Sequence, residues 1–408
     1  MRIPKYIPLL LVALASTADL GAGVIGGVDS RIGEADETEA VRAIFDFHAD
    51  TGNYFAVVQW DELADRRWTM NISTDGGVTW SRTYQLFDTQ GIQALDMAVS
   101  GAWVYVGYVT DQISRQAKMR RFSPADGGLD LTYSGRTIID TSPQSILEIA
   151  IETNVDSTDD RVFYSLVQSD GTTRFFWDVP TDGLTFTEVA ITASNASGGL
   201  DMHWNPGFTT YSLFLSLIDQ SDNLQVWRYN GAWSQSVSFS YSGSQGRTTI
   251  SAFADRVGIA HDAASPNGQA IQYRTSQDAG DNWGTAGFVD VPTPGEGDFQ
   301  DVDLTFRGGL GPAVSYTLDA GATASSYFRS KPTYSPGPWA PRLMFNDFES
   351  VAGQPTAINW TPQDKFGVTY VGGSEEIPYF DVLQPAAIFV DGVESGDTSA
   401  WSESTPNP

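Results

Sequence analysis

Seven positions recur along the chain at intervals of 50, 52, 53, 50, 52 and 56 residues, and five of them are carboxylates: Asp46, Asp96, Glu148, Asp201, Ser251, Asp303 and Asn359. Each is a polar residue set between apolar neighbours, as in Phe45-Asp46-Phe47, Leu95-Asp96-Met97 and Val302-Asp303-Leu304. Two kinds of chemistry fit such a set. Carboxylates gathered in one place repel each other, which raises some of their pKa values or recruits cations, and hard oxygen ligands suit Ca²⁺ better than softer metals. The competing reading is architectural: each carboxylate accepts N–H bonds from a neighbouring backbone and fastens one unit to the next, at about 1.5–3 kcal/mol for a charged hydrogen bond. His48 and His203 follow Asp46 and Asp201 by two residues, which places them on the same strand face. Asp46, His48, Asp201 and His203 are therefore a candidate metal set, although they belong to units far apart in the repeat.

The elements that must position these residues are strands. Runs rich in Val, Ile, Phe, Tyr, Trp and Thr, separated by Gly, Asn, Asp and Ser clusters, fill residues 41–391, and helical periodicity is absent. Each polar position centres a first strand. A second strand follows (Tyr54 to Val58, Trp103 to Val106), then a third (Trp68 to Ile72, Ala117 to Phe122) and a fourth (near Leu86-Phe87, near Ile138-Ile139). The last unit's fourth strand falls near Phe389-Val390. Four strands every 50 or so residues describe a propeller blade, a small sheet that buries both faces only by stacking on neighbours. The expected fold is therefore all-β, a single β-propeller of seven four-stranded blades, or six if the weaker last unit is an appendage. First strands are innermost in this architecture, so the recurrent polar residues face a central channel. Residues 23–30 either donate a strand to the last blade or dangle.

Between third and fourth strands lie two matching turns, Ser73-Thr74-Asp75-Gly76-Gly77-Val78-Thr79-Trp80 and Ser276-Gln277-Asp278-Ala279-Gly280-Asp281-Asn282-Trp283. In both, the Asp can accept backbone N–H bonds across the turn, the Gly supplies a positive φ and the Trp covers the hairpin. The motif resembles the Asp-box, or bacterial neuraminidase repeat, and the repeat region resembles the sialidase-like propeller superfamily. That resemblance implies a structural role for Ser73, Asp75, Gly77, Trp80, Ser276, Asp278, Gly280 and Trp283 on the outer rim. It does not extend to catalysis. The only Arg-Ile-Pro segment is Arg2-Ile3-Pro4, seven blades depart from the sialidase six, and Arg121, Arg228, Arg274 and Arg329 read as exposed third-strand residues. No catalytic residue is carried over.

The ends and the composition bound the function. Arg2, Lys5, the apolar run Tyr6 to Ala15 and the small residues Ser16-Thr17-Ala18 have the layout of an export signal. The expected organisation is a signal peptide (1–18), an N-terminal segment (19–40), the propeller (41–391) and a tail (392–408). Asp391 to Ser402 resembles a short tail found on exported bacterial proteins. With no cysteine there is no disulfide framework, and a net charge of −27 disfavours nucleic acid and anionic membranes. No apolar run is long enough for membrane insertion. The expectation is a secreted protein, extracellular or periplasmic, that binds a glycan or protein ligand without catalysis, with calcium as the ion the acidic channel suits. The alternatives are a glycoside hydrolase or lyase using two channel carboxylates, and a structural surface or matrix component. Trp204, Trp227 and Tyr273 are aromatics that an exposed site would use to stack on sugars.

Overall fold

A computed structural model describes residues 24–25 and 27–385, apart from 63–65, 89–90, 114, 134, 155–160, 179–185, 192–194, 207–210, 307–310, 322, 332–336 and 362–364. Seven antiparallel sheets form blades 1 to 7 of a closed propeller. Their innermost strands are Ala40–Phe47, Ile92–Val99, Ile146–Thr153, Ala196–Trp204, Thr248–Phe253, Asp298–Phe306 and Ala357–Thr361. Each packs against the next, and that of blade 7 packs against that of blade 1. Among the described residues the only helical element is a 3-10 turn at Asp111–Ile113.

The second strands are the most apolar because both their faces are covered. Val104–Thr110, Val162–Gln168 and Leu213–Asp219 are buried along their whole length, so they read as continuous hydrophobic runs rather than alternating ones. The core lies between blades. Phe55, Val57, Trp68 and Met70 of blade 1 interdigitate with Leu95, Met97, Val104 and Val106 of blade 2. At the closure, Phe45 and Ala43 pack with Val371 and Phe380 of blade 7. That approach is close enough that a Cβ on Gly367 would sit 2.5 Å from the Phe45 ring, so the glycine is required by packing.

The ring is fastened by the N-terminal segment. Val24–Ile25 and Ser30–Arg31 pair antiparallel with Ile377–Pro385, the third strand of blade 7, in the register Ser30↔Phe380 and Val24↔Pro385. The last blade thus takes its outermost strands from the start of the chain. Phe389-Val390, expected in that role, lies outside the described residues, as do the signal and tail segments.

The two matching turns share one geometry. Ser73 Oγ donates to Asp75 Oδ1 and accepts from Gly77 N–H, while Thr79 N–H and Oγ1–H donate to the two oxygens of Asp75. Ser276, Asp278, Gly280 and Asn282 repeat this set. These bonds hold the Asp75 carboxyl down at about 2. Each Trp then reaches back one blade. Trp283 donates to Ser236 of blade 4 and sits edge-on to Phe239, and Trp80 donates to Ser30 and sits edge-on to Phe380. Ser30 therefore does for blade 7 what Ser236 does for blade 4. Gly77 holds φ 91°, and a Cβ there would lie 2.1 Å from Phe380.

The third-strand arginines are not exposed as expected. Arg121 is buried between the rings of Trp103 and Tyr133 and paired with Asp130. Arg228, Arg274 and Arg329 are half-buried, the first two lying over Tyr211 and Phe239. The guanidinium groups of Arg121, Arg228 and Arg274 cover aromatic faces, most of them contributed by the segments between strands. Trp227 and Tyr273 are buried as well; only Trp204 of the three named aromatics borders the channel.

Candidate functional site in the axial channel

The seven recurrent polar residues all lie on innermost strands, and a single bonding pattern links them around the axis. One oxygen of Asp46 accepts from its own following residue, Phe47 N–H, and the other from Val99 N–H of blade 2 at 3.1 Å. Asp96 accepts from Ile151 N–H of blade 3 at 2.8 Å, and Glu148 from Gly199 and Leu200 N–H of blade 4. Asp201 accepts from Ile250 N–H of blade 5 at 2.7 Å, and Asp303 from Ile358 N–H of blade 7 at 2.8 Å. Ser251 has no carboxylate, and its place is taken by Thr249, whose hydroxyl donates to Asp303 at 3.0 Å. Asn359 donates its amide to Asp46 at 2.7 Å and so joins blade 7 to blade 1. This is the bonding of the architectural reading.

The histidines follow the same logic. His48, just past its strand, accepts from Thr51 N–H and bonds the carbonyl of Gly101 in blade 2 through Nε2. His203 accepts from Ala252 N–H of blade 5 through Nδ1, with Nε2 3.4 Å from Ser251 Oγ. A ring that accepts at Nδ1 is neutral, and burial pushes the His203 pKa down to about 4. Among the described residues no three of His, Asp and Glu converge as metal ligands.

Two cavities open on the axis. Around the ends of the innermost strands is a space of about 510 Å³ with Asp46, Asp96, Asp201 and Asp303 in its wall. Its mouth is ringed by Phe47, Trp204, Phe253 and Trp360, each half-buried. Glu152 also lines it and was not anticipated. It stands four residues after Glu148, on the same face of its strand, and accepts from Thr153 and Trp204 N–H. The opposite mouth, about 380 Å³, holds Arg42 and Arg247 beside Glu148. Arg42 donates to Leu95 O at 3.0 Å. Arg247 pairs at 3.5 Å with Asp301, a buried residue at φ 55°. Asp301 occupies in blade 6 the bulge position that Gly199 (φ 65°) occupies in blade 4, each with its carbonyl bonded by a Thr of the next blade, Thr356 and Thr248.

Enclosure by the blades dominates the electrostatics. Desolvation pushes Asp46 and Asp201 up to about 7, Asp96 to about 6 and Glu152 to about 8. The folded protein therefore holds more protons on these groups than the unfolded chain does from about pH 4 to 8. Stability drawn from them is present in acid and is lost as the pH rises through the folded values. His203 and His261, both lowered by burial, act in the opposite sense, against the four channel carboxyls together with Asp29 and Asp381, which burial raises to about 6 and about 7. Asp75 and the other turn carboxylates, whose pKa values are lowered, cost stability only below about pH 4. Thermal unfolding followed by circular dichroism is expected to show a maximum near pH 5 and a Tm at pH 8 lower by about 5 °C or more; a Tm that rises from pH 5 to pH 8 would refute this assignment.

No protein-family model matches the sequence, and no curated protein matches it. Among solved structures, the BP39L lectin from Burkholderia pseudomallei superposes with a TM-score of 0.63 at 12% identity, over 86% of this chain and 97% of that one. A structure of NanB with Optactamide gives 0.50 at 10% identity, over 89% and 70%. An α-L-arabinanase from Penicillium chrysogenum bound to arabinobiose gives 0.47 at 12%, over 88% and 98%. At these identities what is shared is the propeller fold.

Proposed function

We propose that this protein is a secreted carbohydrate-binding propeller whose ligand enters the axial channel at the mouth ringed by Phe47, Trp204, Phe253 and Trp360. The observation that carries this reading is one cavity combining an aromatic collar with a floor of acceptors already fixed in place. A saccharide offers an apolar C–H face to aromatic rings and hydroxyls to oxygen acceptors, and a mostly apolar pocket with a few placed polar groups is how small ligands are held. The channel carboxylates are tied to backbone, so they present lone pairs with little side-chain freedom left to lose on binding. The fold shared with a lectin favours the same reading.

Hydrolysis is the second reading, and Glu152 favours it: a carboxylic acid protonated at neutral pH is what a general acid needs. Both of its oxygens already receive backbone N–H bonds, which argues for recognition first. A glycan array run with calcium and with chelator selects the ligand and tests the cation expectation. Titration calorimetry on Trp204→Ala and Trp360→Ala is then expected to show affinity reduced tenfold or more, about 1.4 kcal/mol, with Trp204→Phe retaining most of it. Unchanged affinity in both alanine variants rejects this mouth as the site, and release of shortened sugars during the titration selects hydrolysis.

A further inference from the structure

On the outer rim, between blades 5 and 6, a third cavity of about 1040 Å³ has no part in the channel. It exists because the outermost strands there are short. Blade 5 ends in Gly287–Asp290 and blade 6 in Leu343–Met344, against Ser81–Phe87 in blade 1 and Trp233–Ser240 in blade 4. Tyr273 of the third strand Gly268–Ser276 and Trp339 pack edge to face at 5.4 Å and are buried, reaching the wall only at their margins, with Phe288 exposed beside them.

The charge in this groove is unusual for so acidic a chain. Its two carboxylates are already engaged. Asp278 is tied into its turn, and Asp290 is paired with Arg329 at 3.3 Å and with Arg342. Arg329 is used up as well, donating to the Ala340 carbonyl of its own blade and to the Val289 carbonyl across the blade boundary. Lys331 is left over. Its ammonium lies 5.1 Å from the Trp339 ring centre and 6.0 Å from that of Tyr273, and among the described residues it has no ion pair. Burial lowers its pKa, so a bound anion would relieve a strained charge.

We propose that this groove is a second saccharide site, selective for an acidic sugar whose carboxylate pairs with Lys331 while its ring lies on the exposed Phe288 beside it. An ammonium over aromatic faces gives such a site two independent contacts, a charged hydrogen bond and C–H stacking, and neutral sugars make only the second. The inference does not need the channel site to be correct. The test is calorimetry of the full chain with a uronic-acid oligosaccharide, its neutral reduced counterpart and a sulfated oligosaccharide.

The acidic sugar is expected to bind at least tenfold more tightly than the reduced one, with that preference lost in Lys331→Gln, kept in Lys331→Arg and unaffected by Trp204→Ala. A sulfated sugar binding equally well identifies a general anionic-sugar site and leaves the role of Lys331 standing. Equal binding of the uronic and reduced forms, or full acidic selectivity in Lys331→Gln, overturns the proposal. Loss of binding in Trp204→Ala with Lys331→Gln unchanged assigns the ligand to the channel instead.

Discussion

Replacing Asp46 by Ala is expected to lower the free energy of unfolding by about 3–5 kcal/mol, the largest effect of any single substitution at the axis. Asp46 is where the ring closes. It accepts from Val99 N–H of blade 2, from the Asn359 amide of blade 7 and from Phe47 N–H of its own strand. Alanine leaves all three donors without their acceptor in the channel wall, and each bond left unmade there costs about 1–3 kcal/mol. Part is returned, because a carboxyl pushed up to about 7 is itself poorly solvated. Denaturant unfolding followed by tryptophan fluorescence measures the change. Ser251→Ala is the comparison: it removes a hydroxyl from the one axial slot without a carboxylate, and is expected to cost under about 1 kcal/mol. A loss at Asp46 no larger than that at Ser251 would mean the axial bonds do not hold the blades.

The second large effect is expected on shortening the chain to begin at Ile32. Blade 7 would keep three strands, and its outer edge would lose the pairing of Ser30 and Arg31 with Phe380 and Tyr379. Trp80 would lose its Ser30 partner. Asp29 would be gone too, and it accepts from Asp347 N–H and from the Tyr370 hydroxyl. At about 1 kcal/mol for each hydrogen bond given up, together with the apolar edge newly exposed, the loss is about 4–6 kcal/mol. It should appear as a lower denaturation midpoint, and as aggregation through the bare edge strand. A truncated chain that unfolds at the same midpoint would show that the closure is made elsewhere.

Much of this was legible in the sequence. The blade count and the axial set come from one signal, a polar residue at the centre of an apolar strand every 50 or so residues, which survives in all seven units from Asp46 to Asn359. The closing strands were less legible. Val24–Ile25 and Ser30–Arg31 are two residues each, too short to show alternation, and their partners lie some 350 residues away. Side-chain environment was hardest to read. Arg121 sits on a strand whose exposure looked simple, yet the aromatic rings above and below it, Trp103 and Tyr133, come from other parts of the blade. Glu152 was within reach, since a spacing of four from Glu148 puts it on the channel face; Arg42 stands in the same relation to Asp46 at the opposite mouth.

Because each axial carboxylate is held by bonds to the backbone of a neighbouring blade and keeps acceptor capacity to spare, the channel has a fixed polar floor beneath the aromatic mouth. The most direct measurement is a crystal structure of the protein soaked with its best neutral array glycan. A sugar ring against Trp204 or Trp360, with hydroxyls directed at the Asp46 and Asp201 side of the channel, is the expected result. A sugar held at the opposite mouth beside Arg42 and Arg247, or a channel that stays free of sugar while the glycan binds in solution, would contradict it.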